Sequence, residues 1–234
     1  MARLIQKKLH KHFWNEEKGL SSMFILLCIS NFIIIPFFTQ RLTIMILMRL
    51  TWFALLVAGI SSLSENKSQI RVFSVIPVLF IIVSGLDLFL GGRTLDYLDF
   101  IMQLAVFGLL IGMVLIKVFE DGSITIHRVI GSILAYMLIG NVWSIAYHFF
   151  YVYVPGSLQI SGNYANSGVP SSVFLYFSYT TLTTTGYGEI LPVHAITRTL
   201  VIIEQLIGVL YPVVLIGRLV SLVTGTKEKS SGGS

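Results

Sequence analysis

The sequence predicts an all-α integral membrane protein with six transmembrane helices, and three observations carry that expectation. Of 234 residues, 55% are hydrophobic and 12% charged, with a mean hydropathy of +0.83. Soluble domains carry about a quarter charged residues, so this chain lacks the charge for a surface facing water all round. Six apolar runs, at about 21–38, 42–63, 71–91, 98–118, 126–153 and 195–224, each approach the roughly 20 residues that cross a bilayer as a helix. The basic residues fall at the ends of these runs with a strong bias. If the N-terminus is inside, twelve Lys and Arg lie in inner segments, and only Arg41, Arg93 and Arg198 lie outside. That bias puts both termini in the cytoplasm. It also accounts for the net charge of +5 without nucleic acid as a partner. The single cysteine, Cys28, excludes an intrachain disulfide.

Residues 1–20 carry Arg3, Lys7, Lys8, Lys11 and Lys18, with Leu4, Ile5, Leu9 and Phe13 at near-helical spacing. A basic amphipathic segment on the inner membrane surface is expected. Residues 21–118 hold the first four runs. Arg49 lies inside the second, where an ionisable residue snorkels, lines a cleft or pairs with an acid. Asp87 is expected near an interface. The fourth run has no Lys or Arg from Ile101 to Ile116, and Lys117 stands at its inner edge. A voltage-sensing helix needs several basic residues at three-residue spacing, so these four helices read as a scaffold.

Residues 119–225 have a different organisation. The fifth run ends in Tyr147, Tyr151 and Tyr153, an expected aromatic belt. Pro155 to Gly168 is polar and rich in Gly, Ser and Asn, which suits an external loop. Pro170-Ser171-Ser172 marks a helix start, and Val173 to Thr183 is too short to cross. It is followed by Thr184-Thr185-Gly186-Tyr187-Gly188-Glu189, with Pro192 beyond. A cation shedding its water needs replacement oxygens. An ordinary strand points its carbonyls alternately to opposite sides, and turning them to one side requires unusual dihedrals at alternate residues. Gly186 and Gly188 can adopt positive φ at low cost. The Thr184 hydroxyl can add an oxygen at the inner end. Irregular backbone at membrane depth is tolerated where protein buries it or water meets it.

The stretch resembles the selectivity filter of the potassium channel family, usually Thr-Val-Gly-Tyr-Gly, and the resemblance extends over roughly Gly131 to Leu222. It implies a six-transmembrane, single-pore-loop channel of prokaryotic type. A re-entrant pore helix and filter then lie between helices five and six, in a homotetrameric pore. K+ is bound at Thr184, Thr185, Gly186 and Tyr187, with Gly188 completing the filter. Thr185 stands in place of the usual Val and Glu189 in place of the usual Asp. Tyr176 and Phe177 replace two Trp, and Thr180 replaces Glu or Val. Tyr176, Thr180 and Glu189 are the expected filter supports. Gly208 occupies the position of the family's hinge glycine. Pro212, which removes a helical hydrogen bond, favours a bend one turn later. By the same alignment Ile216 and Val220 line the inner pore. Glu204 is expected to bond the back of the pore helix or to meet Arg198 or Arg49.

Residues 226–234 read as a flexible tail with a linker-like end. The expected function is passive, potassium-selective conduction, not strongly voltage-gated, by a multi-pass cell-membrane protein. Its partners are membrane lipids and its own copies, with no cofactor and no soluble ligand. A nonselective cation channel of the same architecture is the nearest rival. A transporter built from four linked pore repeats fits less well, because one filter motif occurs here. No hydrolase, zinc-protease or haem-attachment motif supports an enzyme or haem protein.

Overall fold

The computed structural model describes residues 19–37, 41–63, 74–120, 125–162 and 169–231. Nearly all of the basic segment expected at 1–20 lies outside these residues. The chain divides into two compact units. One is Met1–Glu120 with Thr125–Ala135, and the other Asp121–Ile124 with Tyr136–Ser234.

The first unit holds helices α1 (Gly19–Phe37), α2 (Arg41–Leu63), α3 (Val75–Leu90) and α4 (Arg93–Phe119), with the opening turns of α5 (Ile126–Tyr153). Each follows one of the expected apolar runs. In α1 the ladder widens to a π turn at Ser30–Ile34, just before Pro36. Proline offers no N–H and crowds the preceding turn, so the ladder shifts there. Gly91 and Gly92, at φ 60° and 117°, reverse the chain between α3 and α4. Lipid is as apolar as leucine, so close fit rather than hydrophobicity holds such helices together. Trp52 meets Phe107 edge-on at 5.3 Å between ring centres, with Phe80 beside it. A Cβ on Gly59 would stand 2.8 Å from Leu110 Cδ2 and 3.2 Å from Met23 Cε, so glycine lets α1, α2 and α4 approach.

Arg49 pairs with acids. Its guanidinium donates to Asp87 Oδ2 at 2.6 Å, to Asp99 Oδ2 at 3.4 Å and to the Ser84 carbonyl. Ser84 Oγ donates to Asp99 Oδ1, and Gln103 Nε2 donates to Asp99 Oδ2 at 2.6 Å. Asp87, expected near an interface, is a half-buried ion-pair partner, while Asp99 is buried. Asp99 was not singled out from sequence, although a carboxylate four residues before Gln103 in an apolar run was its signal. Removing the cation strands the buried Asp99 carboxylate and the half-buried Asp87 carboxylate. Arg49→Met is therefore expected to destabilise the unit by about 3 kcal/mol. Asp87→Asn should cost less, because Asp99 still holds the guanidinium. Denaturation in detergent, read by circular dichroism, checks the order.

The second unit contains the rest of α5, strand β1 (Leu158–Ile160), helix α6 (Ser171–Leu182), strand β2 (Ile190–Pro192) and helix α7 (Ala195–Ser231). The expected all-helical fold gains a small antiparallel sheet, with Leu158 opposite Pro192, Gln159 opposite Leu191 and Ile160 opposite Ile190. Leu158 and Ile190 turn inward and pack with Tyr147, Phe174 and Phe177. Tyr147 is fully buried, which corrects its place in an aromatic belt. The Ser157 carbonyl accepts from Val193 N at 3.0 Å and from the Thr197 hydroxyl at 2.7 Å, closing the loop onto the start of α7.

The last helix passes the expected end at 224 and runs to Ser231, so residues 226–231 of the expected tail are helical. Lys and Glu are good helix formers, and no proline follows to stop the ladder. Among the described residues, four helices are long and apolar enough to cross a membrane: Gly19–Phe37, Arg93–Phe119, Ile126–Tyr153 and Ala195–Arg218. Ile46–Ile60 and Val75–Leu90 are shorter apolar helices.

Candidate functional site

The site is built on the C-terminal end of α6. Pro170, extended at ψ 150°, precedes the helix, and apolar residues such as Phe174 and Phe177 bury one face. A helix leaves its last carbonyls without intrahelical partners. Here the following segment supplies them. Thr183 N donates to Tyr179 O at 3.0 Å, Thr184 N to Thr181 O at 2.9 Å, and Thr185 N and Gly186 N to Thr180 O at 2.8 and 3.1 Å. The N–H groups of 183–186 are therefore turned back onto the helix. Among the described residues, no N–H or hydroxyl donates to the carbonyls of Thr184, Thr185, Gly186, Tyr187 or Gly188.

Alternate residues of this segment lie in the left-handed region: Thr184 at φ 57°, Gly186 at 53° and Gly188 at 95°. Glycine was expected there. Threonine was not, and a β-branched residue at positive φ is a strained outlier of the kind that collects at functional sites. Residues 183–189 are exposed in the single chain, and Tyr187 is 70% exposed.

The three residues expected to support the segment are placed differently. The Tyr176 phenol donates to Glu189 Oε1 at 2.8 Å, and its ring stacks on Tyr187 with 6.4 Å between centres. The bond to Glu189 raises the phenol's pKa above its ordinary value. The Glu189 carbonyl accepts from Ser161 N at 2.8 Å, which ties the segment's outer end to the loop after β1. Thr180 contributes through its carbonyl, while its hydroxyl donates back to Phe177 O at 3.0 Å. Thr183 was missed from sequence: its hydroxyl sits 2.7 Å from Tyr179 O and 2.9 Å from Thr185 Oγ1.

Behind α6 the expected hinge residues meet other parts of the unit. A Cβ on Gly208 would lie 1.9 Å from the Leu182 carbonyl oxygen, so in this structure Gly208 is where α7 touches the end of α6. Pro212 lies inside a continuous helix and supplies no N–H to the Gly208 carbonyl four residues earlier. The Tyr136 hydroxyl faces that carbonyl at 3.4 Å and the Leu182 carbonyl at 3.1 Å, and its ring stacks on Tyr211. Tyr136 and Tyr211 carried no sequence signal. Among the described residues Glu204 bonds Ser178 on the back of α6, one of the partners expected of it, and forms no ion pair with Arg198. Ile216 is 59% exposed in the chain, and the Val220 side chain lies outside the described residues.

Residues 124–225 match the model of a protein family described as an ion channel, which is somewhat less than half of the chain. Comparison with curated proteins and with solved structures returned no match. The family match covers α5, α6, the segment after it and most of α7. It indicates ion channel activity, and the apolar helices indicate a multi-pass membrane protein.

Proposed function

We propose that four copies of this chain form a potassium-selective channel, with α6 as a re-entrant pore helix and Thr184 to Gly188 as one quarter of the filter. The observation that carries the reading is the set of carbonyls from 184 to 188 without donors among the described residues, on backbone whose φ is positive at every second residue. Such alternation turns successive carbonyls toward one side. Four chains around an axis then surround a dehydrated cation with oxygens. The exposure of the segment and of most of Ala195–Arg218 in one chain leaves room for neighbouring copies. K+ takes the place of a ligand at Thr184, Thr185, Gly186 and Tyr187. The test is flux of K+, Na+ and Rb+ from liposomes holding purified protein, with barium as blocker, beside a mass measurement in detergent. Barium-sensitive K+ flux well above Na+ flux from a tetramer is expected. Equal K+ and Na+ flux refutes the selectivity.

In this reading both termini are cytoplasmic, and opening bends α7 near Gly208 and Pro212 to move Ile216 and Val220 off the axis. State-independent cysteine labelling at Val220 would place the gate elsewhere.

Gating is expected to depend weakly on voltage. Moving one charge across the membrane supplies about 2.3 kcal/mol per 100 mV. Between Ile101 and Ile116 α4 carries no charge, and Arg49 is held by Asp87 and Asp99. Open probability against voltage in a planar bilayer checks this. A steep sigmoid of about ten charges per channel would contradict it.

A further inference from the structure

Glu204 is fully buried in α7, and it faces two hydroxyls rather than a cation. Its Oε2 lies 2.5 Å from the Tyr147 hydroxyl on α5, and its Oε1 lies 2.6 Å from Ser178 Oγ on α6. Ser178 Oγ is also 2.7 Å from the Gly140 carbonyl on α5. Each of these oxygen–oxygen contacts needs a hydrogen between its partners. Tyr147 has one, Ser178 has one, and a carbonyl has none. A third hydrogen is required, and the carboxyl of Glu204 is the remaining group that can carry it. Among the described residues no Lys, Arg or His pairs with Glu204. The titratable groups near it are Tyr147 and, farther off, Tyr136, both on α5, while α6 presents only the Ser178 hydroxyl. An ionised carboxylate without a cation in such a place is costly.

We propose that Glu204 is a neutral acid that donates from Oε1 to Ser178, so that Ser178 donates onward to Gly140. The chain of bonds runs from α7 through α6 to α5, and it makes Glu204 a positioning residue for α6. Ser178 lies six residues before Thr184, so the relay holds the back of the helix whose C-terminal end carries the exposed carbonyls. What α6 supports rests on the channel reading. The proton on Glu204 does not.

A glutamine reproduces this arrangement. Its amide N–H donates to Ser178, and its amide oxygen accepts from Tyr147. The experiment is infrared difference spectroscopy of purified wild type against Glu204→Gln, with Tyr147→Phe alongside. The wild type should show the carbonyl stretch of a protonated carboxylic acid, absent in Glu204→Gln. In Tyr147→Phe the stretch should move to higher frequency, because its oxygen has lost a donor. Glu204→Gln should keep the wild-type melting temperature and K+ flux, whereas Glu204→Ala, which leaves the buried Tyr147 hydroxyl without its acceptor and Ser178 without its donor, should lose flux about tenfold. Absence of the band, or a Glu204→Gln protein as unstable as Glu204→Ala, overturns the proposal. A wild type that shows the band and passes no K+ refutes the channel reading and the positioning role, and leaves the neutral acid standing.

Discussion

Replacing Gly208 with alanine should destabilise the second unit and abolish conduction. Two effects oppose each other. Alanine is favoured over glycine in a helix interior by about 1 kcal/mol. The added methyl would sit 1.9 Å from the Leu182 carbonyl oxygen and 3.1 Å from Leu182 Cα, both backbone atoms that no rotamer change removes. Separating α7 from α6 by the necessary distance costs about 3 kcal/mol, at the upper end of overpacking, so the loss wins. It also disturbs the Tyr136 hydroxyl that faces the Gly208 and Leu182 carbonyls together. Gly85 is the control: it lies in a helix with nothing within 4 Å of the added carbon, and Gly85→Ala should be neutral or mildly stabilising. Melting in detergent and K+ flux from liposomes read both variants. If Gly208→Ala kept its stability and changed only open probability, close packing would not be what requires glycine at 208, and only the hinge role proposed for it would remain.

Alanine at Gly186 or Gly188 should abolish potassium selectivity for a different reason. Within one chain, among the described residues, neither added methyl meets an atom within 4 Å, so crowding there does not forbid it. The backbone does: φ of 53° and 95° is a region where a Cβ costs about 1–2 kcal/mol. The chain can relax by turning the peptide, which takes a carbonyl off the proposed ion path. Expression and tetramer mass should therefore survive while the K+ to Na+ flux ratio falls toward one. A ratio unchanged in both variants would falsify the filter assignment.

These two experiments mark the limits of what the sequence revealed. Gly186 and Gly188 were legible because the same residues that make a backbone permissive also form a recognisable spacing. Thr184 at φ 57° was not, since nothing about threonine announces a left-handed conformation. Its conformation depends on Thr184 N reaching the Thr181 carbonyl, an arrangement set by how α6 ends. Glu204 was visible as an acid in an apolar run, but its partners lie 26 and 57 residues away in the chain. The strand at Leu158–Ile160 was hidden in a polar loop because three residues are too few to show a period.

The sequence by itself determined the membrane class, the helical runs, the missing charges of α4 and the residues of the Thr-Thr-Gly-Tyr-Gly segment. These follow from local properties: run length against bilayer thickness, charge placement, and the conformational freedom of glycine. Only the tertiary structure decided which partners close the polar groups inside. Arg49 is paired by Asp87 and Asp99, Gly208 stands beneath the Leu182 carbonyl, and Ser178 joins Glu204 to Gly140. Such pairings depend on helix rotation and on distances of a few tenths of an ångström between segments far apart in the chain. A buried polar atom far from water must find its partner there, and periodicity along the sequence does not say which one it meets.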